Sequence, residues 1–149
     1  MARAFQFDFL LQRAIDRREA AALAIGNASL RVQAAREQLA QIEAYRDEYR
    51  LRLNTNAGRG MHMHQWNDFQ LFLAKLAGAI EQQMAEVERQ LAALESARQF
   101  WSECVKEVKA FEALQQRHDF REAQADNRLA QRQSDEWSAN MVRRRHGND

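Results

Sequence analysis

Trp66, Leu73, Ile80, Val87, Leu94, Trp101 and Val108 stand seven positions apart without a break. Such spacing places them on one side of a helix, and over six repeats it specifies a seam that another helix must cover. Ala77, Met84, Leu91 and Val105 each follow a member of that row by four, so these two rows are the expected core of this helix. Arg98 interrupts the second row and Glu112 ends it; Arg98 is read as lying along the seam with its charge carried out to water. Nothing opposes a long helix here, because the chain contains no Pro and only five Gly.

The N-terminal part carries the complementary pattern. Leu11, Ile25, Val32, Leu39 and Leu53 share one heptad phase, broken at Arg18 and Arg46. Ala14, Ala21, Ala28 and Ala35 fall three residues after members of that row, and small residues in one row permit close helix approach. Leu23 and Leu30 add a flanking row, so this helix has a broad apolar face whose core register the pattern leaves open. Isolated Gly26 and Gly78 each cost a helix roughly 1 kcal/mol relative to Ala, too little to end one. They are either tolerated or allow close packing.

Helix breakers concentrate in one stretch, LNTNAGRG from Leu53 to Gly60, and the expected turn covers about 54–64. Asn54 and Asn56 tolerate left-handed backbone, and Gly58 and Gly60 accept it freely. The predicted fold is therefore all-α: one domain, 1–149, forming a long antiparallel two-helix coiled coil, a helical hairpin folded near Gly58. Its helices run over about 9–53 and 65–138, roughly 65 and 105 Å at 1.5 Å per residue. Folding brings Phe5, Phe7 and Phe9 opposite Phe111 and Leu114, so the second helix overhangs after Gln115. There Phe120, Leu129, Trp137, Met141 and Val142 are too scattered for a seam, and the RRRHGND ending reads as a flexible tail. Charge agrees with antiparallel pairing: residues 1–59 carry ten cations and seven anions, residues 60–115 five and eight.

Composition narrows the function. Mean hydropathy is −0.69, which leaves apolar residues for narrow seams and too few for a compact globule. Net charge is +1 with 29% of residues charged, so no strongly basic face drives nucleic-acid binding. Only Lys75, Lys106 and Lys109 are lysines among 22 cations, and the prevailing Arg suits forked pairing with carboxylates. Cys104 is the single cysteine, which precludes an intrachain disulfide and fits a reducing cytoplasm. The start, MARAFQFDFLLQR, reads as neither signal peptide nor anchor, and no segment approaches the ~20 apolar residues of a membrane span.

Chemistry finds little purchase. His62 and His64 lack neighbouring ligands and read as a solvated turn, with no metal expected. Cys104 and His118 lie about 21 Å apart along one helix, too far for a nucleophile and its base. Gly58 and Gly60 lack the Lys-Ser or Lys-Thr of a nucleotide loop. No catalytic residue, cofactor or enzyme activity is expected. The informative constellation flanks the turn: Ile42, Tyr45 and Tyr49 before it, then Trp66, Phe69, Phe72, Leu73 and Leu76 after it. This exceeds what one seam needs. Trp66, Leu73 and Tyr49 are assigned to the core, and Tyr45, Phe72 and Leu76 to a protein-binding surface.

YRDEYRLRLNTNAGRG, a following Trp and FQLFLAKLAGAIEQQ together resemble the FliJ family of flagellar export proteins, most closely from Gln38 to Gln83. The C-terminal NRLAQRQSDEW is similar to the family's ending, whereas the resemblance does not extend to RRRHGND. The resemblance implies a non-enzymatic coiled-coil stalk in type III flagellar export, cytoplasmic and peripheral at the inner membrane. Implied partners are the hexameric export ATPase FliI, its regulator FliH, the membrane gate protein FlhA and export chaperones. The family's gate-facing strip falls on Gln38, Ile42, Tyr45 and Tyr49, and on Phe72, Leu76 and Ala79. Ile42 stands where the family usually has Leu, and Gln83 where it often has His. Other readings are the stalk of a virulence-type secretion system, a generic coiled-coil scaffold or export chaperone, and a nucleic-acid accessory protein using Arg143, Arg144 and Arg145.

Overall fold

In the computed structural model, which describes residues 6–147, two helices account for nearly every residue: α1 (Asp8–Ala57) and α2 (Met63–Gly147). No strand occurs among the described residues. The helices pack against each other along the rows that the heptads define. On α1 the inward positions are Leu11, Ala14, Arg18, Ala21, Ile25, Ala28, Val32, Ala35, Leu39, Ile42, Arg46, Tyr49 and Leu53, all buried or half-buried. They alternate by three and four, which fixes the register and carries the alanine row on through Ile42 and Tyr49. Leu23 and Leu30 point to solvent on the opposite side.

On α2 most of the first row holds, with Ile80, Val87, Leu94 and Val108 buried and Leu73 half-buried, while its two tryptophans, Trp66 and Trp101, are exposed. Of the second row only Val105 is half-buried. Ala77, Met84 and Leu91 are exposed, and the seam instead uses residues three after the first row: Leu76, Gln83, Gln90, Ala97, Cys104 and Phe111. The physical reason lies in the charges. The expected row would have drawn Arg98 and Glu112 into the seam, whereas the row chosen holds only neutral side chains. Both charged residues are exposed and stand off the seam, so Arg98 does not interrupt it.

The contacts fall into two compact units, each with a stretch of both helices. In the first unit (described residues 6–18 and 103–147), Leu11, Ala14 and Val108 form the core with Ile15 and Phe111 against it. Phe7 is half-buried and Phe9 exposed, while Phe5 lies outside the described residues. Arg17 donates to Glu107 across the two helices at 3.3 Å, a half-exposed pair that contributes little energy. Half-burial persists at Gln115, His118 and Glu122, after which every residue of 123–147 is exposed. Rather than ending in the 130s, α2 runs on to Gly147, and Arg144, Arg145 and His146 suit the negative end of its dipole.

In the second unit (Glu19–Ser102), Ala28, Val32 and Leu94 form a core with Ile25 and Ala97. Its helices run antiparallel: Val32 meets Leu94, Ala35 meets Gln83 and Tyr49 meets Phe69. The turn is shorter than expected. Helix α1 continues through Asn54 and Asn56, held by buried Leu53 and by the Thr55 hydroxyl, which donates to the Leu51 carbonyl at 2.9 Å. The amides of Gly58, Arg59 and Gly60 then donate to the carbonyls of Asn54, Asn56 and Ala57, closing the helix end. Only Gly60, among the described residues, takes a positive φ, 85°, so it is the residue on which the chain reverses. The His62 carbonyl accepts from the Trp66 amide, the bond that opens α2.

A methyl group added at Gly26 or Gly78 would meet nothing within 4 Å, so these glycines serve no close approach. Gly26→Ala and Gly78→Ala should each stabilise the protein by about 0.5–1 kcal/mol, nearly additively, read as a rise in thermal midpoint by circular dichroism.

Candidate functional site

The aromatic residues beside the turn belong to the second unit, and heptad position sorts them. Tyr49 continues the α1 alanine row, so its ring enters the seam and becomes the hub of a cluster. Its centroid lies 4.6 Å from Phe72, 5.0 Å from Phe69 and 6.3 Å from Tyr45. Tyr45, four residues earlier, sits beside the seam, meets Phe72 edge-on at 6.1 Å and remains 47% exposed. An aromatic pair of this kind contributes about 0.5–1.5 kcal/mol beyond its buried area. The cluster therefore ties the hairpin end together while leaving one face of Tyr45 open.

The residues expected to face a partner separate accordingly. Ile42, Tyr49 and Leu76 are half-buried members of the seam rows, although Leu76 was assigned to the surface on spacing. Gln38 and Tyr45 are exposed beside the seam, seven residues apart on α1; Phe72 and Ala79 are half-buried, seven apart on α2. The Tyr45–Phe72 contact puts these two rows on the same flank. Trp66 and Leu73, assigned to the core, lie in its first row, Leu73 half-buried and Trp66 37% exposed near the turn.

Two polar features of this region were not legible in the sequence. Gln83 is a seam residue whose side-chain Nε2 donates to the Ala35 carbonyl on the facing helix at 3.0 Å. That carbonyl already belongs to a helix, so the amide uses its second lone pair. Glu86 continues the Phe72–Ala79 row, and its carboxyl is held below the ordinary value by hydrogen bonds from Gln90 and Arg89 and by the Arg89 charge. It extends the aromatic flank with a fixed negative charge.

Elsewhere the chemistry is sparse. His62 and His64 are exposed, and no group of three or more His, Cys, Asp or Glu residues is arranged to hold a metal among the described residues. Cys104 is a buried seam residue. No helix of the described residues is long and apolar enough to cross a membrane.

The sequence profile of the family described as "Flagellar FliJ protein" matches residues 3–147. Among curated proteins, the chain is 31% identical over 125 residues to the flagellar FliJ protein of Salmonella typhi, covering 84% of this chain and 85% of that one. It is 30% identical over 127 residues to the flagellar FliJ protein of Escherichia coli (strain K12), covering 85% and 86% respectively.

The geometry separates structural from surface aromatics. Tyr49→Ala, which removes the hub of three ring contacts, should lower the thermal midpoint clearly. Tyr45→Ala should shift it far less, since its ring is half solvated. Equal losses would mean that Tyr45 is as much a core residue as Tyr49.

Proposed function

Because the chain belongs to the FliJ family and is thus a component of flagellar protein export, we propose that it acts there as a non-enzymatic stalk linking the hexameric export ATPase FliI to the membrane gate protein FlhA. The observation that carries this reading is the extent of the family match, which runs over 3–147 and so takes in both helices and the turn. In this reading the gate meets the flank formed by Gln38, Tyr45, Phe72 and Ala79, with Ile42, Tyr49 and Leu76 holding that flank in shape from inside the seam. An exposed Tyr edge against a Phe is the kind of anchor that dominates protein interfaces.

The ATPase ring, assisted by FliH, takes the end bearing the two termini. A chain without threefold or sixfold symmetry touches the subunits of a symmetric ring unequally, and so biases their assembly or turnover while the chemistry stays in the ring. Exposure of every residue over 123–147 supports this assignment, since a partner needs no prior opening of the chain. Such contacts are spread over many charged residues and weaken with salt. The protein works at the cytoplasmic face of the inner membrane through its partners, with export chaperones as further ones.

Tyr45→Ala should leave helix content unchanged and reduce capture of the gate protein's cytoplasmic part by about tenfold, the scale of an interface anchor. Undiminished capture would remove this flank as the gate site. Separately, the purified chain should raise the turnover rate and hexamer fraction of its cognate export ATPase, and truncation after Glu122 should abolish that gain; no effect at any ratio would refute the coupling role.

A further inference from the structure

Helix α2 has more apolar rows than a two-helix seam uses. Leu73, Ile80, Val87 and Leu94 form one buried or half-buried row, with Leu76 and Ala97 on the second, yet Ala77, Met84 and Leu91 make a third that stays exposed. A strict two-row seam is the pattern of a coiled coil, whereas a third adjoining row belongs to a helix with two neighbours. Within the second unit α2 has one.

Beside that third row lies a trough of about 690 Å³, its walls including Ser29, Val32 and Ala40 on α1 and Leu91 and Leu94 on α2. Small residues at Ser29 and Ala40 keep the α1 wall low and leave Leu91 uncovered. From Ser29 to Ala40 the trough spans about 17 Å of α1, the length of three helical turns. Its charge is specific. Arg36 and Arg98 line the trough, and neither has a hydrogen bond or ion pair among the described residues, whereas the third charged residue there, Glu37, already accepts from Gln33 at 3.3 Å. The trough thus offers an apolar floor with two unengaged guanidiniums, the complement of a helix that carries leucines on one stripe and carboxylates beside it.

We propose that this trough docks an amphipathic, acid-flanked helix of another protein, which completes a local three-helix bundle with α1 and α2. The opposite flank, with Tyr45 and Phe72, is left free by this arrangement. The site does not depend on the roles assigned to the ATPase or the gate. The chain's own C-terminal segment is a poor occupant, since Trp137, Met141 and Val142 are followed by Arg143, Arg144 and Arg145, which would face Arg36 and Arg98.

The test uses the full chain and labelled synthetic helices of about four turns, all with one Leu stripe, flanked in one peptide by Glu and in another by Lys. Fluorescence anisotropy should show the Glu-flanked peptide binding about tenfold or more tightly than the Lys-flanked one. Leu91→Ser should weaken it by a similar factor, and Tyr45→Ala should leave it unchanged. Arg36→Glu combined with Arg98→Glu should reverse the preference; if that variant melts early, Arg36→Gln with Arg98→Gln should abolish the preference instead. Equal binding of both peptides, indifference to Leu91→Ser, or a chain that self-associates through Leu91 in the absence of peptide would each overturn the proposal, the last by showing that a second copy fills the trough.

Discussion

Everything in this molecule depends on a seam between two helices in which one side of α1 is built from alanine. Where Ala14, Ala21, Ala28 and Ala35 face inward, burial comes from close backbone approach and from the larger residues of the companion rows, Leu11, Val32, Leu94 and Val108. The same row carries Ile42 and Tyr49 towards the turn, where bulk replaces proximity. One row of one helix thus sets two packing regimes, thin along the body and thick at the turn, and the exposed aromatic flank is a by-product of the second. A ring as large as Tyr49 in a row that begins as alanine needs Phe69 and Phe72 around it, and that leaves Tyr45 at the edge.

Much of this was readable in advance. The body of the first α2 row, the presence of an apolar face on α1 and the location of the reversal follow from spacing and from the clustering of Asn and Gly. The second α2 row differs from the one spacing predicts because Met84 and Leu91 are more apolar than Gln83 and Gln90, and periodicity alone favours the greasier choice. A seam can step by three or by four after the same row, and only the partner helix decides. The step of three buries Cys104, half-buries Phe69 and Phe111, and keeps Arg98 and Glu112 wet. Those gains are spread from Phe69 to Glu112 and no local window contains them. The turn was overestimated for a related reason: Asn54 and Asn56 are turn-prone in isolation, but Leu53 occupies a core position and carries the helix past it.

The candidate site was half legible. Its residue types announced themselves, since two tyrosines, two phenylalanines and a tryptophan near a turn exceed what a narrow seam requires. Their division into hub and edge did not, because it rests on heptad phase, and the phase of α1 was open. The trough lined by Leu91, Arg36 and Arg98 borders the very row that spacing places in the core.

The amide that Gln83 extends to the Ala35 carbonyl has an additional effect. Aliphatic packing tolerates small slippage, because one methyl group substitutes readily for another. A directional bond from a side chain to the opposing backbone does not, and sliding the helices by even a single residue would strand a partly buried amide without an acceptor. The second unit therefore has a detent, a discrete notch that resists shear between its two helices.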